Sequence, residues 1–313
     1  MSEMNRTLAF VFPGQGSQSL GMIQDLLDHE IVRETLVEAD EALGFSLSDI
    51  IKSGDIETLG KTEITQPAIL TVSIALWRVW LAENGAMPAF LAGHSLGEYS
   101  ALVAAGVLAF KDAVKLVHDR GQFMQEAVPA GSGAMAAILG LDDEAVIALC
   151  KDSEESGVVA AVNFNSQGQV VIAGEKVAVE AACELAKERG ARRALLLPVS
   201  VPSHCILMKP AAVRLSSELE DMLLSTPHQI VIHNVDVKSH TDALEIKEAL
   251  VSQLYEPVRW TETIEYLARE GVTTVVECGP GKVLTGLIRR IDKSLTTYNV
   301  LDGATLDSVI KEI

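Results

Sequence analysis

A serine set between two glycines, where an apolar run gives way to a helical one, is the tightest constraint on this fold: Ala89-Phe90-Leu91-Ala92 leads into Gly93-His94-Ser95-Leu96-Gly97 and then Glu98 to Ala105. The run reads as a short buried strand and the segment after it as a helix. Joining the two so tightly would make side chains at 93 and 97 clash with neighbouring backbone, which glycine avoids. Ser95 then sits at the helix start, where the free N–H groups of the first turn face any oxygen that becomes negative. This is the geometry of a nucleophile elbow suited to acyl chemistry. The plainer reading is a Gly-Ser turn that merely links two elements.

Around the elbow the 313 residues alternate strands and helices, with 48% hydrophobic and only 4% aromatic residues. That composition suits α/β layers in which helices pack on parallel strands. Residues 8–12 form a first strand closed by Pro13-Gly14-Gln15-Gly16, and 22–27 begin a helical pattern. A long apolar helix follows over about 66–83, and an amphipathic one over 111–127. From 134 to 199 the order becomes βαββαβ, with strands at 135–139, 158–164, 169–173 and 194–197 and helices at 142–150 and 176–188. This ferredoxin-like signature is bounded by Gly131-Ser132-Gly133 on one side and by Pro198 and Pro202 on the other. Alternation then resumes: a helix over 204–223, a strand over 229–233, helices over 243–254 and 260–269, a strand over 273–277 and a helix ending at 291. The expected fold class is α/β, with a large domain (1–130 and 200–313), an inserted small domain (131–199) and a substrate cleft between them.

A formal net charge of −18 argues against nucleic acid or anionic membrane as a partner. Cys150, Cys183, Cys205 and Cys278 are scattered without a CxxC pair, so neither a zinc site nor a disulfide framework is expected, and a reducing cytoplasm fits. The 8–12 run is too short for a signal-peptide core, and Arg78 interrupts the apolar stretch 69–81.

An unassisted serine hydroxyl is a weak nucleophile, so an imidazole must lie within reach. His94 diverges from its neighbour and is expected to shape the pocket. His204, in the rigid link Val199-Ser200-Val201-Pro202-Ser203-His204, is the candidate base; a plain histidine at a helix N-terminus is the alternative. Arg120 stands in the middle of an apolar stripe (Ala113, Val117, Arg120, Met124, Ala127) that should face inward. A guanidinium there needs an anion, either an internal carboxylate or a substrate carboxylate held in bidentate fashion. Gly14-x-Gly16-x-x-Ser19 approaches a dinucleotide fingerprint but lacks its third glycine and the second strand. A loop bringing Gln15 beside the elbow explains those glycines equally well. No cofactor or metal is called for.

Together these residues resemble the malonyl-CoA:acyl carrier protein transacylases, from Phe10 to beyond Arg290. The motifs are Phe12-Pro13-Gly14-Gln15-Gly16-Ser17-Gln18, Gly93-His94-Ser95-Leu96-Gly97-Glu98, Arg120 in Arg-Gly-Gln-Phe-Met-Gln, Pro202-Ser203-His204, Gln253 in Gln-Leu-Tyr-Glu-Pro-Val-Arg-Trp, and Gly279-Pro280-Gly281, all in the family's order. The resemblance implies an α/β-hydrolase-like large domain with a ferredoxin-like insertion. It implies ping-pong transfer of malonyl from malonyl-CoA to the phosphopantetheine thiol of acyl carrier protein, in fatty acid synthesis. It further implies Ser95 as nucleophile, His204 as base and then acid, Arg120 as clamp on the malonyl carboxylate, and the N–H groups of Gln15 and Leu96 as oxyanion hole. The main-chain carbonyl of Gln253 would orient the imidazole, with Asn234 supporting it.

Acyl carrier proteins are acidic, as this chain is, so attraction is expected from local clusters: Arg289, Arg290 and Lys293, or Lys187, Arg189, Arg192 and Arg193. The rival readings are a serine hydrolase, a nicotinamide-binding protein and a non-catalytic carrier-binding protein. A general esterase has no need of a buried cation facing a substrate.

Overall fold

The computed structural model describes residues 4–199 and 201–313, so Ser200 of the proline-bearing link and residues 1–3 lie outside the described residues. In chain order the elements begin with β1 (Asn5–Phe12), α1 (Glu30–Leu43), α2 (Leu47–Ser53), α3 (Ile56–Leu59) and α4 (Thr62–Ala82). The elbow region holds β2 (Pro88–Gly93), α5 (Gly97–Ala104) and α6 (Phe110–Glu126). A contiguous stretch follows with β3 (Gly133–Leu139), α7 (Asp143–Asp152), β4 (Val159–Ser166), β5 (Gln169–Glu175), α8 (Lys176–Glu188) and β6 (Arg193–Leu196). The chain closes with α9 (Lys209–Glu220), β7 (Ile230–Ile232), α10 (Ala243–Gln253), α11 (Trp260–Arg269), β8 (Thr274–Cys278), α12 (Val283–Ile291), β9 (Thr296–Val300) and α13 (Gly303–Glu312).

From Leu8 to Phe12, β1 is apolar without interruption because both its faces are covered there. Leu8, Phe10 and Phe12 point into one core, where Phe10 meets Trp77 and Trp80 of α4. Ala9 and Val11 point into the other, with Trp260, Ile264 and Leu287. Period-two alternation thus survives inside a fully buried strand. The sheet is parallel throughout, in the order β7-β2-β1-β8-β9. Its register sets Phe12 opposite Gly93. The Pro13-Gly14-Gln15-Gly16 turn and the elbow therefore leave adjacent strands at the same carboxyl edge, where ligands of parallel sheets bind.

β3 to β6 form a separate antiparallel sheet in the order β4-β5-β3-β6. One face carries its own core, where Ala136, Ile138 and Ile172 meet Val146 and Leu149 of α7 and Val179 and Ala182 of α8. The opposite face turns Met135, Val171 and Ala173 toward Cys205. The edge strand β4 is tied to the other layer: Val258 N–H donates to the Val162 carbonyl (2.8 Å) and Phe164 N–H to the Val258 carbonyl (3.0 Å). The Thr261 hydroxyl adds a bond to the Phe164 carbonyl (3.0 Å).

Three expectations change. The pattern over 22–27 forms only a single 3-10 turn, Gln24–Leu26. The helix expected over 204–223 divides into a 3-10 turn, Ile206–Met208, and α9. Pro210 marks the restart: lacking an N–H, it is favoured in the first turn of a helix, where no intrahelical partner is needed, and it stands there in α9. β9 and α13 complete the parallel layer beyond 291, where no elements were expected. α4 is long and apolar enough to cross a membrane, yet 89% of its most apolar window is buried inside the protein.

Candidate active site

The elbow is shaped by close backbone approach. A Cβ at Gly93 would overlap the main chain of Gly97 and Glu98, and one at Gly97 would overlap the Phe12 carbonyl. Ser95 itself adopts φ 51°, a left-handed conformation that side-chain-bearing residues rarely hold and that the surroundings must enforce. Asn234 does so: its Oδ1 accepts the Ser95 N–H (2.7 Å) and its Nδ2 donates to the Gly93 carbonyl (2.7 Å). The expectation that Asn234 supports the imidazole is thus corrected. It lies just past β7, beside the elbow backbone, and its short amide spends both ends there.

His204 comes from the loop before the 3-10 turn rather than from a helix N-terminus. It too is left-handed (φ 64°) and only 3% exposed. Its Nδ1 lies 2.6 Å from the Gln253 carbonyl and its Nε2 2.7 Å from Ser95 Oγ. A carbonyl can only accept, so Nδ1 carries the proton and Nε2 presents its lone pair to the hydroxyl, which donates. Burial first, and then the nearby Arg120 cation, push the His204 pKa down to about 3. The imidazole is accordingly neutral near pH 7 and able to take a proton.

Arg120 is 1% exposed on α6. Its NH1 donates to Gln66 Oε1 (2.7 Å) and its NH2 to Gln253 Oε1 (3.0 Å), while the guanidinium lies 5.4 Å from the Tyr99 ring. Among the described residues no carboxylate pairs with it directly, and its Nε is buried without a partner. Of the two anions the sequence allowed, the internal one does not touch the guanidinium.

A cavity of about 120 Å³ joins these groups, lined by Gln15, His94, Ser95, Leu96, Arg120 and His204. Among the described residues, neither the Gln15 nor the Leu96 N–H has an acceptor within the protein. His94 Nε2 lies 2.7 Å from Asn165 Oδ1 on β4, and its ring packs edge-on against Trp260. Burial lowers its pKa. The glycines after β1 are followed only by the single 3-10 turn at Gln24–Leu26 before α1 begins at Glu30, so the α-helix N-terminus that a bound pyrophosphate needs does not follow them. Among the described residues no group of three or more His, Cys, Asp or Glu side chains could hold a metal ion.

The basic clusters are partly engaged. Arg290 bonds Gln169, Arg289 bonds Thr297, Arg189 pairs with Asp152 and Lys187 with Glu184, while Arg192, Arg193 and Lys293 are exposed.

Residues 9–309 match the acyl transferase domain family. The malonyl CoA-acyl carrier protein transacylase of Salmonella typhimurium is 56% identical over 97% of this chain and 99% of its own length. That of Escherichia coli K12 is 58% identical over 97% and 98%. The chain belongs to the malonyl-CoA:acyl carrier protein transacylase family.

Solved structures of malonyl-CoA:acyl carrier protein transacylases share the whole fold. An acyl carrier protein S-malonyltransferase from Vibrio cholerae superposes with a TM-score of 0.95 at 56% identity, covering 97% of this chain and 99% of the other. A malonyl-transacylase solved in complex with its type II PKS acyl carrier protein gives 0.96 at 52% identity, covering 98% and 99%. Against this transacylase background, Gln66, Asn165 and Glu98 join the site without having been singled out from the sequence. Gln66, a polar residue inside the apolar α4, carried the same signal that marked Arg120. Glu98 looked like an ordinary acidic residue in a helix's first turn, favourable there on dipole grounds alone.

Proposed function

We propose that this chain moves a malonyl group from malonyl-CoA to the phosphopantetheine thiol of acyl carrier protein through a malonyl ester on Ser95, as a cytoplasmic step of fatty acid synthesis. One observation carries the reading: a buried guanidinium, bonded only to neutral side-chain oxygens, opens into the same cavity as the Ser95–His204 pair. A carboxylate on the substrate supplies the missing anion and thereby selects the acyl group.

The steps follow from these positions. The malonyl carboxylate binds the free edge of the Arg120 fork and so aligns the thioester carbonyl over Ser95. Ser95 Oγ attacks as its proton passes to His204 Nε2, while the N–H groups of Gln15 and Leu96 hold the developing oxyanion. The C–S bond breaks, and the imidazolium returns the proton to the departing coenzyme A sulfur. The carrier's thiol then loses its proton to His204 and attacks the ester carbonyl. Ser95 Oγ leaves with that proton, which restores the free enzyme.

The same reading divides the chain into an α/β-hydrolase-like large domain (1–130 and 200–313) and a ferredoxin-like insertion (131–199). The separate core between the antiparallel sheet and α7 and α8 supports the division, and so does the βαββαβ order.

Intact-protein mass spectrometry tests the function. Mixing with malonyl-CoA is expected to add one malonyl group, which disappears in Ser95→Ala and is passed on when carrier protein is added. Rapid appearance of free malonate in its place would mark a hydrolase and overturn the proposal.

A further inference from the structure

Beneath the elbow lies a carboxylate to which the proposed reaction assigns no task. Glu98, in the first turn of α5, is fully buried. Its Oε1 faces His233 Nδ1 (2.7 Å), and its Oε2 accepts both the Asn234 N–H (3.0 Å) and Gln253 Nε2 (2.8 Å). Two fixed donors, a backbone N–H and a side-chain amide, thus converge on Oε2, an arrangement that suits a carboxylate. His233 makes its hydrogen bond through Nδ1, and its Nε2 is buried without a partner.

The Gln253 amide connects this anion to the site. One amide hydrogen goes to Glu98 and the other to the Ser95 carbonyl (3.0 Å), so the amide oxygen must face Arg120. Arg120 and Glu98 are therefore opposite charges in one buried cluster, separated by a single polarised amide. A direct ion pair would occupy the guanidinium fork. The amide spacer balances the charge and leaves the fork open.

Resting on the acyl-transfer reading above, we infer that Glu98 is a positioning and specificity residue, a spaced counter-charge that keeps Arg120 buried and ionised in the free enzyme and weakens the grip on malonyl enough for it to be released. With substrate bound, the cluster holds one cation and two anions. Removing the Glu98 charge leaves one of each, which tightens the hold on any carboxylate paired with Arg120. At an effective dielectric of about 20, a unit charge at this remove changes affinity roughly tenfold.

Glu98→Gln isolates the charge. With the new amide oxygen at the Oε2 position, the bonds from Asn234 and Gln253 persist. The new NH2 at the Oε1 position donates to His233 Nδ1 once the ring's proton moves to the buried Nε2, a cost common to both inhibitors below, so that the ratio of their constants isolates the charge. Free malonate is measured as an inhibitor of Ser95 acylation, with acetate as the reference. In Glu98→Gln the malonate inhibition constant is expected to fall roughly tenfold, while that for acetate moves less than twofold. Glu98→Asp, which keeps the charge, is expected to hold the ratio of the two constants near that of the unsubstituted protein. Equal changes for both inhibitors, or no change, would reduce Glu98 to a structural role and overturn the inference.

Stability supplies a second readout. Arg120→Gln and Glu98→Gln each leave one charge unbalanced, so the double variant is expected to melt above the sum of the two single effects. If Glu98→Gln does not fold alone, its rescue by Arg120→Gln carries the same meaning, and failure of the double variant overturns the inference. A fault in the underlying reading is recognised separately: the unsubstituted protein would then form no malonyl adduct, and malonate would not inhibit it.

Discussion

Ser95 and His204, 109 positions apart, meet at 2.7 Å from two left-handed backbone conformations, φ 51° and φ 64°. Strain of that kind costs of order 1–3 kcal/mol per residue and persists only where the surroundings over-determine it. Asn234 fixes one partner, and the Leu254 and Gln253 carbonyls fix the other.

Acid sensitivity follows from the His204 environment. Burial and the Arg120 cation lower its pKa from 6.5 to about 3. In the unfolded chain the imidazole titrates near 6.5, so between roughly pH 6.5 and 3 the unfolded state binds the extra proton, and this group's contribution to stability is lost as pH falls through that window. The acid limb of kcat/KM for malonyl-CoA is expected well below pH 6.5. In Arg120→Ala, which removes the second cause of the shift, the limb moves up toward 6.5. A limb at or above 6.5 in the unsubstituted protein would contradict the assignment of His204 as base.

Donor selectivity is the second expectation. Arg120→Ala removes the proposed partner of the substrate carboxylate, and transfer from malonyl-CoA is expected to drop by roughly 10²–10³-fold, in keeping with the loss of one member of a buried charge pair. Transfer from acetyl-CoA has no carboxylate to lose and should be spared. Steady-state rates with both donors decide the matter; a parallel loss would assign the arginine to structure.

Two glycines predict opposite outcomes on substitution. Gly93→Ala drives a Cβ into the backbone of Gly97 and Glu98, and a loss of about 3 kcal/mol or more is expected. Gly286, exposed within α12, has no atom within 4 Å of an added Cβ. Gly286→Ala is expected to stabilise by about 0.5–1 kcal/mol, because alanine is the better helix former. Chemical denaturation of both variants checks the pair.

Local patterns were legible where a periodic face met a clear boundary. α11 matches its expected limits, and the βαββαβ stretch kept its order, because apolar periodicity and turn glycines agree there. The helix overrun at Pro210 came from following periodicity past a residue that restarts a helix. β9 mixes Thr, Tyr and Asn with a single buried Val, and at a sheet edge nothing forces a stronger pattern. In the site, Ser95 and Arg120 stood out because each violates its local context. Glu98, His233 and the Gln253 side chain did not, since their partners lie more than a hundred residues away and each looks ordinary in its own segment.

The acceptor behind His204 is a peptide carbonyl, with consequences for the reaction's robustness. It cannot be protonated in any ordinary buffer, so the imidazole keeps its tautomer wherever the fold survives. Nor can a codon change at 253 delete it, because every amino acid brings the same oxygen. Substitution there disturbs the arginine's anchorage and spares the histidine's, an uncoupling that a carboxylate-backed triad does not permit.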